Sequence, residues 1–181
     1  MCSSDLTDVS LIDTVLAANQ ERLDLLAAVE SETDHAKLAD IHVRLDAIDA
    51  YRAPARAARI LAGLGFPEND QQRPCREFSG GWRMRVALAG VLFAEPDLLL
   101  LDEPTNYLDL EGTLWLEDYL KRYRGTVVLV SHDRDLLNRA VDSILHLERG
   151  KLTLYSGNYD IFARTRAERR ALDTARRARE L

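Results

Sequence analysis

Two adjacent carboxylates, Asp102 and Glu103, end a run of four leucines, Leu98 to Leu101. Four apolar residues in a row suit a strand buried on both faces of a parallel sheet. Pro104 stops that strand, because proline cannot donate to the ladder. In open α/β sheets ligands bind just outside the carboxyl ends of the strands, so acids here stand where chemistry is expected. Taken alone, the stretch equally suits a buried strand that happens to end in acids. A second buried strand is expected at Thr126–Val130, and it runs into Ser131-His132-Asp133. A third group, Ser79-Gly80-Gly81, opens a helix. Free backbone N–H groups at a helix N-terminus favour an anion, and glycines let the backbone approach it closely. The plainer reading of that triplet is an N-cap serine with a glycine turn.

The elements that position these groups follow from periodicity and breakers. Up to about Leu64 the chain reads as helical. Ser10 and Asp13 form a capping box ahead of Leu11, Ile12, Val15 and Leu16, and Leu23, Leu26 and Val29 continue the stripe. A second helix carries Leu38, Ile41, Leu45 and Ile48. A third starts near Pro54, carries Ala57, Ile60, Leu61 and Leu64, and stops at Gly65. Phe66 to Glu77, with Pro67, Asn69, Asp70 and Pro74, reads as a loop. The Ser-Gly-Gly helix is buried through Val86, Leu88, Leu92 and Phe93, and Pro96 ends it. Leu108-Asp109 begins another helix through Leu114, Leu116, Tyr119 and Leu120, with Trp115 as packing. Gly125 then breaks it before the second strand, giving a parallel strand–helix–strand crossover. Ser143–Leu147 and Leu152–Tyr155, around Glu148-Arg149-Gly150-Lys151, read as a hairpin. His35, His42 and His146 lack ligand company and read as structural.

Composition narrows the class. The 181 residues are 46% hydrophobic and 30% charged, as in a globular protein with one good core. No apolar run approaches the roughly 20 residues that span a membrane, and no signal peptide opens the chain. Two cysteines, Cys2 and Cys75, without a pairing pattern imply a reducing, cytoplasmic setting. The net charge is −6, but Arg164 to Leu181 hold seven arginines against three acids, so the rest of the chain carries −10. An acidic body with a basic tail points to a partner for the tail. Met1 to Leu6 can be encoded by a common sequencing-adapter sequence, so these residues are expected to be read-through and the protein to continue upstream.

The order S-G-G, hydrophobic-D-E-P-T-N, L-D at Leu108-Asp109, then S-H-D resembles an ATP-binding cassette domain. The wording F-S-G-G-W-R-M-R and S-H-D-R-D-L-L resembles the first cassette of an ABC-F protein, over nearly the whole chain from about Val9. No G-x-x-x-x-G-K-[ST] phosphate loop occurs anywhere. The resemblance therefore implies the C-terminal part of a first cassette plus the start of the inter-cassette linker, expected to bind ATP weakly or not at all alone.

The implied fold is α/β, a partial P-loop NTPase domain of ABC type. Residues 1–95 would be an N-terminal remnant, α-helical subdomain and signature helix. Residues 96–157 would be the C-terminal half of the ATPase core, and 158–181 the start of an Arg-rich linker helix. The resemblance implies ATP hydrolysis with ATP and Mg²⁺ at a composite site. Asp102 would hold Mg²⁺ through water, and Glu103 would act as general base. His132 would contact the γ-phosphate, and Asp109 would couple two sites. Ser79, Gly80 and Gly81 would cap the γ-phosphate of ATP on the other cassette. Implied partners are that second cassette and, through the linker, the ribosome and tRNA. Tyr107 stands where many relatives have histidine, and none of these roles depends on it. Two other readings share the motifs: the ATPase subunit of a transporter, and the C-terminal lobe of an SMC-type ATPase. The latter would be preceded by long heptads, which this chain lacks.

Overall fold

The computed structural model describes residues 8–179; Met1–Thr7, with Cys2, and Glu180 and Leu181 lie outside them, as do the side chains of Asp173, Arg176, Arg177, Ala178 and Arg179. The chain opens with α1 (Leu11–Leu16), capped as the sequence predicts: the Asp13 N–H donates to Ser10 Oγ at 3.1 Å. The expected continuation of its stripe breaks at Ala17–Asn19, because Asn19 caps a new helix, α2 (Gln20–Ser31). Its Leu23, Leu26 and Val29 are only half-buried, against α3 (His35–Ala47). Then come α4 (Ala53–Gly63), with Pro54 in its first turn, and Gly65 at φ 95° just beyond its end. Only a residue without a Cβ takes that left-handed conformation at no cost, so the helix stops where glycine allows it. The expected loop over 66–77 contains a short α5 (Glu68–Gln71) and a 3-10 turn at Cys75–Glu77.

The second half alternates α6 (Gly80–Ala94), β1 (Leu98–Asp102), α7 (Leu110–Lys121), β2 (Thr126–Val130) and α8 (Arg134–Ala140). β1 and β2 pair in parallel, Leu98 opposite Thr126 and Asp102 opposite Val130. A hairpin follows, β3 (Ser143–Glu148) with β4 (Lys151–Ser156), turning at Arg149 and Gly150, both at positive φ. Two positive-φ residues in a row suit the right-handed twist of such a two-residue turn. The last helix is α9 (Tyr159–Arg179). Its Phe162 is buried against His146 and Tyr155, with ring centroids 5.2 and 5.0 Å away, so His146 is a packing residue.

One core runs through α1, α4, α6, β1, α7 and α8, with Leu11, Leu61, Phe93, Leu99, Leu116 and Leu136 fully buried. The expectation that both central strands are buried on both faces needs correcting. Leu99 and Leu101 point into the core, while Leu98 and Leu100 are 53% and 65% exposed. Val128 and Val130 of β2 are also exposed. Successive side chains on a strand point to opposite faces, and this two-stranded sheet has its core on one face only. Cys75 is buried beside the Thr14 hydroxyl, at 3.3 Å, and is a free thiol. Among the described residues no helix is long and apolar enough to cross a membrane.

Candidate functional site

Asp102 is the last residue of β1 and is exposed at its carboxyl end. Glu103 follows, and its N–H donates to Val130 O at 2.8 Å, extending the ladder by one bond beyond the strand. At that point the backbone turns into the left-handed region, φ 46°. A residue before proline is normally pushed to extended conformations, and left-handed non-glycine backbone costs on the order of 1–3 kcal/mol. The result is a carboxylate turned towards β2. The Glu103 side chain meets His132, whose Nδ1–H donates to Oε2 at 2.8 Å, while the His132 N–H approaches the same oxygen at 3.5 Å.

His132 itself is held by a local cap. Asp133 caps α8, accepting from the N–H groups of Asp135 and Leu136, and the Asp133 N–H donates to Ser131 Oγ at 3.0 Å. Further along, Arg139 of α8 reaches the buried Glu117 of α7 at 3.1 Å and ties the two helices together. With Nδ1 committed to Glu103, the His132 ring, 79% exposed, presents Nε2 outwards. The Glu103 hydrogen bond first, and its charge second, hold the His132 pKa above the ordinary value of 6.5. The pair therefore stabilises the charged imidazolium below that value and is lost as pH rises through the raised one. An NMR pH titration should find His132 with a midpoint above 6.5, falling towards it in Glu103→Gln. Equal midpoints in the two proteins would mean the pair does not form in solution.

Ser79 occupies the N-cap position of α6 with extended backbone, yet its side chain makes no capping hydrogen bond, so the plain-cap reading is not met. A Cβ at Gly80 would meet nothing within 4 Å, and one at Gly81 would come only to 3.6 Å from the Tyr107 ring. Packing does not demand either glycine; the backbone here faces open space. Asp109 stands apart from the Glu103–His132 pair. It caps α7, Oδ1 accepting from the Gly112 N–H at 2.9 Å, and Oδ2 accepts from Arg85 at 3.1 Å. The Gly112 N–H first, then Arg85, hold its carboxyl below the usual carboxylate range.

Arg85 and Tyr107 carry contacts that the sequence did not announce. Arg85 donates through Nε to the Tyr107 carbonyl, and the Tyr107 ring neighbours Gly81. Nothing in local periodicity marks an arginine on α6 as the partner of a turn more than twenty residues later. A cleft of about 230 Å³ lies here, between Met84, Leu88 and Val91 of α6 and Leu100, Asp102 and Glu103. A larger cleft, about 750 Å³, opens at the opposite end of the strands beside Pro96, Asp97 and Gly125. It is remote from the acids and His132.

The tail helix is less free than its composition implied. Glu148 of β3 accepts from Arg166 at 3.2 Å and Arg170 at 3.1 Å, and both contacts hold its carboxyl below its usual pKa. Arg169 lies over the Tyr155 ring at 5.2 Å. The acid that pairs these arginines sits outside the tail, where a local count of charge does not find it.

Comparison with known proteins gives a consistent picture. A family model described as ABC transporter matches residues 8–106, and a second with the same description matches residues 145–181. The chain is 54% identical over 156 residues to ABC transporter F family member 3 of Arabidopsis thaliana, covering 83% of this chain and 22% of that protein. It is 49% identical over 173 residues to ATP-binding cassette sub-family F member 3 of Homo sapiens, covering 90% and 24%. It is 52% identical over 148 residues to the probable ATP-binding protein YheS of Escherichia coli (strain K12), covering 82% and 23%. The chain thus spans about a quarter of the length of these relatives.

Among solved structures, the ATP binding subunit of an ABC transporter aligns with TM-score 0.58 at 18% identity, over 89% of this chain and 57% of that one. A dimeric ATP-binding cassette in a post-hydrolysis state, bound to ADP and Pi, aligns with TM-score 0.52 at 21% identity, over 83% and 57%. These two carry the fold alone, a partial cassette of the P-loop NTPase type. With the matched family model spanning more than half of it, this chain belongs to the ABC transporter family, and its relatives place it among the ABC-F proteins.

Proposed function

We propose that this chain is the C-terminal part of the first cassette of a two-cassette ABC-F protein that hydrolyses ATP on the ribosome. The observation that carries the proposal is the meeting of Asp102, Glu103 and His132 at the carboxyl ends of two paired parallel strands, with Glu103 and His132 in contact at 2.8 Å. Glu103 polarises the attacking water and accepts its proton. His132, oriented by Glu103 through Nδ1, offers Nε2 to the γ-phosphate. Ser79, Gly80 and Gly81, with the free N–H groups of α6, cap the γ-phosphate of the nucleotide on the other cassette.

Among the described residues no three His, Cys, Asp or Glu side chains converge as a metal cage. A lone exposed carboxylate, Asp102, suits Mg²⁺, which keeps several waters and takes one or two carboxylates with substrate phosphates. Asp102 would hold it through water, and Mg²⁺, when bound, would neutralise charge on the phosphate oxygens.

In this reading α9 begins the linker between the cassettes and contacts RNA phosphates of the ribosome and tRNA. Guanidinium suits phosphate through its bidentate fork. Arg166 and Arg170 share one carboxylate, Glu148, so they remain in excess of their acid. The test uses the full-length protein with Arg169, Arg170, Arg176 and Arg177 replaced by Gln, co-sedimented with ribosomes across a salt series. Weaker binding is expected, with a log–log salt slope flattened by up to about 0.7–0.9 per lost phosphate contact. A slope equal to that of the wild type would leave α9 as a spacer only.

A further inference from the structure

The side chain of Arg85 is only 11% exposed, so a permanent charge is nearly out of water. Burying such a charge is costly unless it is paired and hydrogen-bonded. Arg85 meets that cost with partners from two other segments. Nε donates to the Tyr107 carbonyl, and Nη1 donates to both the Leu64 carbonyl at 3.1 Å and Asp109 Oδ2 at 3.1 Å. The guanidinium also lies over the Trp82 ring, 4.2 Å from its centroid. The surroundings are fitted to it: a Cβ on Gly65 would stand 2.9 Å from Nη1, and Gly65 already sits at φ 95°.

These contacts join three pieces of chain that sequence keeps apart. One is α6, whose N-terminus is Ser79-Gly80-Gly81. The second is the end of α4. The third is the turn from Pro104 to Asp109, which begins at Glu103 and ends at the cap of α7. The turn is itself stiff: Asn106 N–H donates to Glu103 O at 3.2 Å, and Leu108 N–H to Thr105 O at 3.0 Å. Both Asp109 carboxylate oxygens are used inside this chain, one by the α7 cap and one by Arg85. What Asp109 can transmit is therefore the position of its turn, set by Arg85.

We infer that Arg85 is a positioning residue that makes the Ser79–Gly81 end of α6 and the Glu103–Asp109 turn move as one body, and so couples two nucleotide sites through the interior of a single cassette. The inference rests on the functional reading above, in which Ser79–Gly81 serve one ATP and Glu103 the other. Engagement of a phosphate by Ser79–Gly81 shifts α6, Arg85 carries the shift to the Tyr107 carbonyl and Asp109, and the turn delivers it to Glu103. Lysine cannot replace this arginine, because a single ammonium lacks the fork that reaches two carbonyls and a carboxylate together.

The test is made in the full-length protein, with the second cassette's general-base glutamate replaced so that only the Glu103 site turns over. In that background Ser79→Arg, which blocks the opposite site, is expected to slow turnover at the Glu103 site by a factor in the usual coupling range, about 5- to 150-fold. With R85K present, the same Ser79→Arg change should alter turnover less than about 2-fold, well below that range. Hydrogen exchange provides a readout that does not depend on ATP: R85K should speed exchange at Leu108 and Gly112 and leave the β1–β2 amides protected. Unchanged exchange at Leu108 and Gly112 would overturn the clamp. Faster exchange with the Ser79→Arg effect intact would overturn the coupling and leave Arg85 as a packing residue. If Glu103→Gln fails to slow turnover, the functional reading fails instead, and the exchange experiment still decides whether the clamp exists.

Discussion

Replacing Glu103 by glutamine is expected to leave ATP bound to the full-length protein and to slow its hydrolysis by about 10²- to 10⁴-fold, the usual worth of a general base. The geometry explains why the change should be clean. Glu103 is placed by its backbone: the N–H is fixed on Val130 O, the φ of 46° turns the chain, and Pro104 follows. None of these depends on the carboxylate. The amide oxygen of glutamine can still accept from His132 Nδ1, so the ring keeps its orientation while the base is lost. Single-turnover hydrolysis, with the other cassette's glutamate also replaced, is the measurement, and nucleotide retention on a filter is the control. A rate unchanged from wild type removes Glu103 from the role proposed for it. A loss of both binding and rate would mean that the carboxylate supports the turn.

Glu103 and His132 also mark the limit of what is legible in the sequence. The Ser10 cap, the end of α4 at Gly65 and the Arg149-Gly150 turn were legible because each is a local event between residues a few positions apart. The two strands were legible too, from runs of Leu and Val bounded by breakers. Their burial was not. Four consecutive leucines imply cover on both faces, whereas Leu98 and Leu100 face away from the core here, because burial depends on what packs across the sheet and not on the strand itself. The acids and His132 were picked out by motif order, but the contact that orients them was not. It needs a left-handed backbone at a glutamate before proline, a conformation that no propensity favours. Arg85 stayed hidden for a related reason. Its partners lie at Leu64, Tyr107 and Asp109, and only the fold brings those positions to one guanidinium.

Long-range packing of this kind leads to the second large effect, at the seam between α4 and α7. Gly63, in the last turn of α4, lies against the face of Trp115, and a Cβ built on it falls inside the van der Waals envelope of Cε2, Cδ2 and Nε1. Trp115 is half-buried and borders the larger cleft, but its ring is held from the far side. It stacks on Tyr119 at 5.2 Å, and Tyr119 is anchored by its hydroxyl, which donates to the Leu92 carbonyl of α6 at 2.8 Å. Burial pushes the Tyr119 pKa up to about 12, in keeping with a phenol that stays neutral in this seam. Gly63→Ala should therefore destabilise the chain by about 1–3 kcal/mol, the cost of overpacking a fitted contact. The backbone gives no such reason to object: Gly63 is helical, and alanine is better than glycine in a helix by about 1 kcal/mol. The sign should consequently reverse once the ring is gone. In a Trp115→Ala background, Gly63→Ala should be neutral or stabilising, a coupling at or above the roughly 0.5–3 kcal/mol seen for residues in contact. Urea unfolding of the four proteins of this cycle gives each term, provided the m-values agree. If Gly63→Ala costs the same with and without Trp115, the indole does not rest on the glycine, and α7 is held against α4 by other contacts.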